Sequence, residues 1–238
     1  MTQRSSKIYV SNILLVLVFI FYSLNIKAQN NTSKKQTISS YYNEARELRN
    51  KNDISSAIET LNKAISLAKE NKNSKAIIDS YQKIALLHIE LNNHDDALFY
   101  RDRAQVILKK TEYRLGEATQ KLIDATILYR EKNNFQAISL LKEARLLSND
   151  KDLINNIELT EATIYINIEK YEEAKKRLNA LLVNSDVNER AYLATKANLG
   201  LASLTCRQKE LEKSTKYGEA ALKLSKRNNF FREELIAS

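Results

Sequence analysis

Five short runs in this chain follow one template about 40 residues apart, and a period of that length rules out a single central core. The runs open on a small side chain at Ala57, Ala97, Ala137, Ala174 and Ser214. Seven residues later they close at Ala64, Ala104, Ala144, Leu181 and Ala221. The openers stand 40, 40, 37 and 40 residues apart. Self-similarity at such a spacing marks stacked copies of one supersecondary unit, each too small to bury its apolar face alone. Opener and closer lie two turns apart on one helix face, where small side chains let a second helix come close. Ala85, Ala125, Ala162 and Ala202 stand 12 residues before the later openers and supply the facing small site.

The unit is a pair of helices. The 238 residues include no Pro, no Trp and three Gly, so helix breakers are nearly absent. Ile54, Ala57, Ile58, Leu61, Ala64, Ile65 and Ala68 trace the i, i+3, i+4, i+7 stripe of an amphipathic helix. Strand-like alternation is missing. The pattern predicts an all-α solenoid of about five antiparallel helix pairs: 36–49 with 54–69, 75–91 with 96–109, 112–131 with 135–147, 153–168 with 171–183, and 189–206 with 210–226. Asn-rich turns separate the helices, as at Asn50-Lys51-Asn52-Asp53 and Asn92-Asn93-His94-Asp95. Asn suits such turns because it tolerates left-handed backbone.

These units resemble tetratricopeptide repeats. The resemblance rests on Ala45 and Leu48 before Ala57, Leu61 and Ala64, and on Tyr81, Ile84, Ala85 and His88 before Ala97, Tyr100 and Ala104. Ala162 and Tyr165 before Ala174 and Leu178 continue it. It covers residues 37–229 and implies a right-handed superhelix. The spacing exceeds the family's usual ~34 residues, and the Pro that closes each family repeat is absent. The resemblance also implies a binding groove lined by the first helix of each pair. Tyr42, Arg46 and Arg49 would face it from the first pair, Gln82, Leu86 and Ile89 from the second, and Leu122, Thr126 and Tyr129 from the third. Leu159, Thr163, Ile166, Leu199 and Ser203 would complete the line. One subgroup of the family clamps a peptide carboxylate with Lys and Asn. The matching positions here hold Tyr42, Gln82, Leu122, Leu159 and Leu199, so that mode is not supported. A groove basic at its start and apolar in its middle suits a protein or peptide ligand with an acidic end.

Chemistry has few footholds. His88 and His94 are the only histidines: His88 falls on an aromatic slot and reads as core, while His94 reads as a solvated turn residue. No metal-ligand cluster, nucleophile–base arrangement or Gly-rich phosphate loop stands out. The chain therefore reads as a non-enzyme with no cofactor and no metal. Asp95-Asp96 and Glu172-Glu173 open second helices, where negative charge suits the dipole. The net charge of +9 is spread among acids. Its tightest cluster, Lys175-Lys176-Arg177, reads as a solvated helix face, so nucleic acid is not an expected partner. The single Cys206 excludes an internal disulfide and reads as a small buried side chain.

The ends carry separate expectations. Arg4 and Lys7 precede the apolar run from Ile13 to Phe21, and Ile26-Lys27-Ala28 follows. A basic start, a short apolar stretch and a small residue at the cut make residues 1–28 a signal peptide cleaved after Ala28. The protein is thus expected to be exported to the periplasm or envelope, with a membrane as partner only if the segment stays uncleaved. Residues 29–36 read as a disordered lead-in and 230–238 as a partial sixth repeat or cap, with Phe231 and Leu235 tucking back. The whole resembles the front ends of exported bacterial tetratricopeptide proteins. The alternative reading is therefore the sensor part of a signal-transduction protein, a histidine kinase or helix-turn-helix regulator whose output domain is missing.

Overall fold

A computed structural model describes residues 36–184, 191–230 and 236–237. The described residues form ten long helices and no strand. These are α1 (Ile38–Asn50), α2 (Ile54–Glu70), α3 (Ser74–Glu90), α4 (His94–Leu108), α5 (Arg114–Arg130), α6 (Asn134–Leu147), α7 (Lys151–Asn167), α8 (Tyr171–Asn184), α9 (Ala191–Arg207) and α10 (Leu211–Asn228). Each odd-numbered helix packs on the even-numbered helix after it, and each second helix packs on the first helix of the next pair. First helices also pack on one another, α3 on α5, α5 on α7 and α7 on α9. This is an all-α solenoid.

The small-residue template makes the contacts it predicts. Ala57, Ala97, Ala137 and Ala174 are buried, as are Ala85, Ala125 and Ala162 opposite the later openers. In the fifth pair the Ser214 hydroxyl donates to the Ala202 carbonyl at 2.9 Å, tying an opener directly to its facing residue. Leu61, Leu141 and Leu178, nearly inaccessible, fill the space beside the alanines. The core is therefore a row of overlapping clusters: Ala45 to Leu108 first, Ala118 to Ile164 next, then Ala162 to Leu204.

One turn design recurs. Asn52, Asn92, Lys132, Glu169 and Lys209, each five residues before an opener, take left-handed backbone, and Lys72 and Asn229 do so after α2 and α10. The next amide then reaches back across the helix end: Asp53 to Leu48, Asn73 to Ala68, Asn93 to His88 and Asn133 to Leu128, at 2.8–2.9 Å. Lys170, Glu210 and Phe230 do the same. These are Schellman motifs, which satisfy helix-terminal carbonyls that would otherwise lack partners. Phe230 apart, the reaching residue also stands at the start of the following helix. Asp53, Asn73 and Asn93 cap α2, α3 and α4 through their side chains. Asn thus fills the left-handed slot at three places, and Lys or Glu fills it at the other four.

Four local expectations need correction. His94 is not in a turn: it is the first residue of α4, with Nε2 3.6 Å from Glu131. Cys206 is exposed, because it lies off the stripe that Leu201, Leu204 and Thr205 bury. Arg177 is half-buried and paired with Glu158 at 2.6 Å and Glu161 at 2.9 Å, rather than being part of a solvated cluster. Helix ends differ from the expected ones by one to a few residues in either direction. Residues 1–35 and 231–235 lie outside the described residues, and with them the signal peptide, most of the lead-in, Phe231 and Leu235. Among the described residues no helix is long and apolar enough to cross a membrane.

Candidate functional site

The surface made by successive first helices has two kinds of residue: those that join neighbouring pairs and those left open. Tyr42 on α1 donates its hydroxyl to the Ala76 carbonyl at 2.8 Å and meets Ser80 at 3.0 Å, both on α3. One pair later, Gln82 on α3 donates to the Gly116 carbonyl at 2.8 Å and to Gln120 at 3.1 Å, both on α5. The two staples use the same slot of the repeat. In the third pair that slot holds Leu122, which is 3% exposed and packs into the core.

A second line of contacts runs along the C-terminal ends of the first helices. Arg49 pairs with Glu90 at 2.7 Å, and Arg130 donates to Asn92. Asn167 donates to the Tyr129 hydroxyl and accepts from Arg207 at 3.0 Å.

The expected groove residues therefore divide. Gln82, Leu122 and Ile89 are buried between pairs and out of a ligand's reach, as is Ile166. Their slots lean toward the next first helix, where pair-to-pair packing claims them. Tyr42, Arg49, Leu86, Thr126, Tyr129 and Leu199 are half-buried, while Arg46, Thr163 and Ser203 are exposed. Thr126 and Thr163 turn their hydroxyls back to the Leu122 and Leu159 carbonyls of their own helices. Burial pushes the Tyr42 phenol up to about 12, so it is a neutral hydroxyl at any ordinary pH. Burial raises Tyr129 as well.

The structure adds a cluster that no spacing argument singled out. Lys83 on α3 places its ammonium 5.0 Å from the Tyr42 ring centroid. Beside it Asp79 accepts from the Tyr113 hydroxyl at 2.8 Å, and Lys75 lies 5.4 Å from the Tyr113 ring. Lys83 reaches solvent yet is ringed by protein, the situation of a groove wall. That surrounding pushes its pKa down; Asp79 and Asp152 pull it back, and Arg46 and Arg49 press it down further. Burial raises the Asp79 carboxyl, which the Tyr113 bond and Lys83 oppose. Among the described residues neither Lys83 nor Arg46 has an ion-pair partner; Arg46 donates only to Asn43 on its own helix, at 3.1 Å. Lys83 escaped the sequence reading because its slot carries no family expectation. Its neighbours Asp152 and Arg46 come from other pairs, so folding alone brings them near.

Among the described residues no three His, Cys, Asp or Glu side chains gather to hold a metal ion. His88 is packed, stacked on Tyr100 with ring centroids 5.4 Å apart.

The arrangement is that of a helical-repeat protein whose stacked first helices offer one continuous face. The family model for the tetratricopeptide repeat matches residues 38–71, which span the first pair and its closing turn. Residues 38–71 thus hold a tetratricopeptide repeat, and four further helix pairs follow it. Among solved structures, it is similar to the crystal structure of the apo form of RapI, with a TM-score of 0.49 and 17% sequence identity. That alignment covers 85% of this chain and 58% of RapI, so the chain spans less than two thirds of that protein. No curated protein matches the sequence. Tetratricopeptide repeats support a role as a protein-interaction scaffold.

Proposed function

We propose that this protein is an exported, non-catalytic scaffold that binds a protein or peptide segment along its first-helix face, with an acidic part of the ligand at the α1–α3 end. The carrying observation is the pair Arg46 and Lys83, two exposed cations without ion-pair partners among the described residues, Lys83 lying over the Tyr42 ring. A cation in a partly desolvated wall, attracted by Asp79 and Asp152 but held in no ion pair with them, can still draw an arriving carboxylate. Beyond it, Leu86, Thr126, Tyr129 and Thr163 offer a mixed apolar and polar surface suited to an extended or helical peptide.

The test is a set of acidic and charge-neutral peptides of matched length, titrated against the protein and against an Arg46→Glu, Lys83→Glu double variant. The parent should bind the acidic set better, and the preference should fade at high salt. The double variant should lose at least about tenfold in affinity for the acidic set, the effect of ~1.4 kcal/mol. Equal binding of the acidic set by parent and variant would refute the reading.

The export component rests on the pattern of residues 1–28. Expression of the whole chain in a bacterial host should give a secreted product beginning at Gln29, read by mass spectrometry of its N-terminal peptide. A product retaining Met1 inside the cell would remove this part of the proposal.

A further inference from the structure

We propose that Arg49 and Tyr192 form a latch that draws the fifth helix pair against the first. The residues lie 143 positions apart, on α1 and α9. The Arg49 guanidinium carbon stands 4.5 Å from the Tyr192 ring centroid, and the same guanidinium donates to the Tyr192 hydroxyl. Glu90 on α3 holds Arg49 from the other side, at 2.7 Å and 3.2 Å. Tyr192 is buttressed in turn: Phe230 meets its ring edge-on at 5.6 Å, and Lys196 lies 5.4 Å from its centroid. Three of the five pairs therefore converge on one guanidinium and one ring.

Among the described contacts between the ends are a cation–π contact and a hydrogen bond, each modest by itself. A helical array otherwise couples only neighbours, so its ends should be energetically blind to one another. The latch breaks that rule. Arg49 also lies close enough to Lys83 for their like charges to interact. The latch itself does not depend on the ligand reading, and its test uses no ligand.

Hydrogen–deuterium exchange of the full chain reads it. Tyr192→Leu removes ring and hydroxyl; Tyr192→Phe removes the hydroxyl alone. In Tyr192→Leu, α1 should exchange about fivefold faster or more, as expected for losing a contact of this kind. Tyr192→Phe should give a smaller rise, and α5 should be unchanged in both. Arg49→Met should deprotect the start of α9 reciprocally. Unchanged α1 exchange in both Tyr192 variants, with α9 still protected, would overturn the latch. So would faster exchange spreading evenly through all pairs, which would report general destabilisation. If Tyr192→Leu unfolds α9 itself, Tyr192→Phe and Arg49→Met decide by the same criteria.

Discussion

At the scale of single residues, two glycines make opposite predictions. Gly218 sits where other second helices carry Leu61, Leu141 or Leu178, and a Cβ there would meet nothing within 4 Å. Gly218→Ala should therefore stabilise the protein by ~1 kcal/mol through helix propensity alone, seen as a higher urea midpoint. Gly116 is the reverse case. A Cβ there would stand 2.4 Å from Tyr113 Cδ1 and 3.1 Å from Leu108 Cδ1. Gly116→Ala should destabilise by about 1–3 kcal/mol, because the Tyr113 ring must leave its bond to Asp79. Both glycines read alike in the sequence, as isolated residues within helices. Only the neighbours separate them, and those come from outside the local string.

At the scale of elements, α6, α7 and α8 meet around a partly buried four-charge network. Glu161 is fully buried, with Arg145 at 2.7 Å and Arg177 at 2.9 Å, and Glu158 holds both arginines at 2.6 Å. Burial raises the Glu161 carboxyl above its ordinary range, against the pull of the two arginines. A raised carboxyl binds its proton more tightly in the folded chain than in the unfolded one. Its contribution to stability is therefore present below the ordinary glutamate value and fades as pH rises through the raised one. The parent should gain stability relative to Glu161→Gln as pH falls from neutral toward the ordinary glutamate value, measured as the difference in urea midpoints. A difference that stays flat, or grows toward neutral pH, would contradict this. The helices themselves were legible from their apolar stripes and alanine notches. This network was not, because acids and bases on helix surfaces usually read as solvated, and only the stacking of three elements encloses them.

At the scale of the whole molecule, stability is a sum over pairs and the joints between them. Leu141 lies fully buried in the cluster that bridges the third and fourth pairs. Leu141→Ala should cost about 2–5 kcal/mol and weaken the middle joint most. Urea unfolding followed by circular dichroism should then broaden or split into two steps, whereas a uniform loss would keep one sharp transition. The same scale limits what the sequence can reveal of the first-helix face. Periodicity names the slots, and it found Arg46, Thr126, Tyr129 and Thr163 as accessible or half-accessible positions. It also named Gln82, Leu122 and Ile89, since nothing in a linear string tells a slot that faces the groove from one that leans on the next pair. Lys83 and Tyr192 acquire their roles from partners dozens to more than a hundred positions away.

The exposed thiol of Cys206 has a practical consequence. The chain holds a single cysteine, and it lies open on the first helix of the fifth pair, next to the Arg207–Asn167 bond. A maleimide fluorophore would therefore attach at one known address without any substitution, on the helix that also carries Tyr192. Its brightness would give a running optical readout of events at that end, so candidate ligands could be screened by emission.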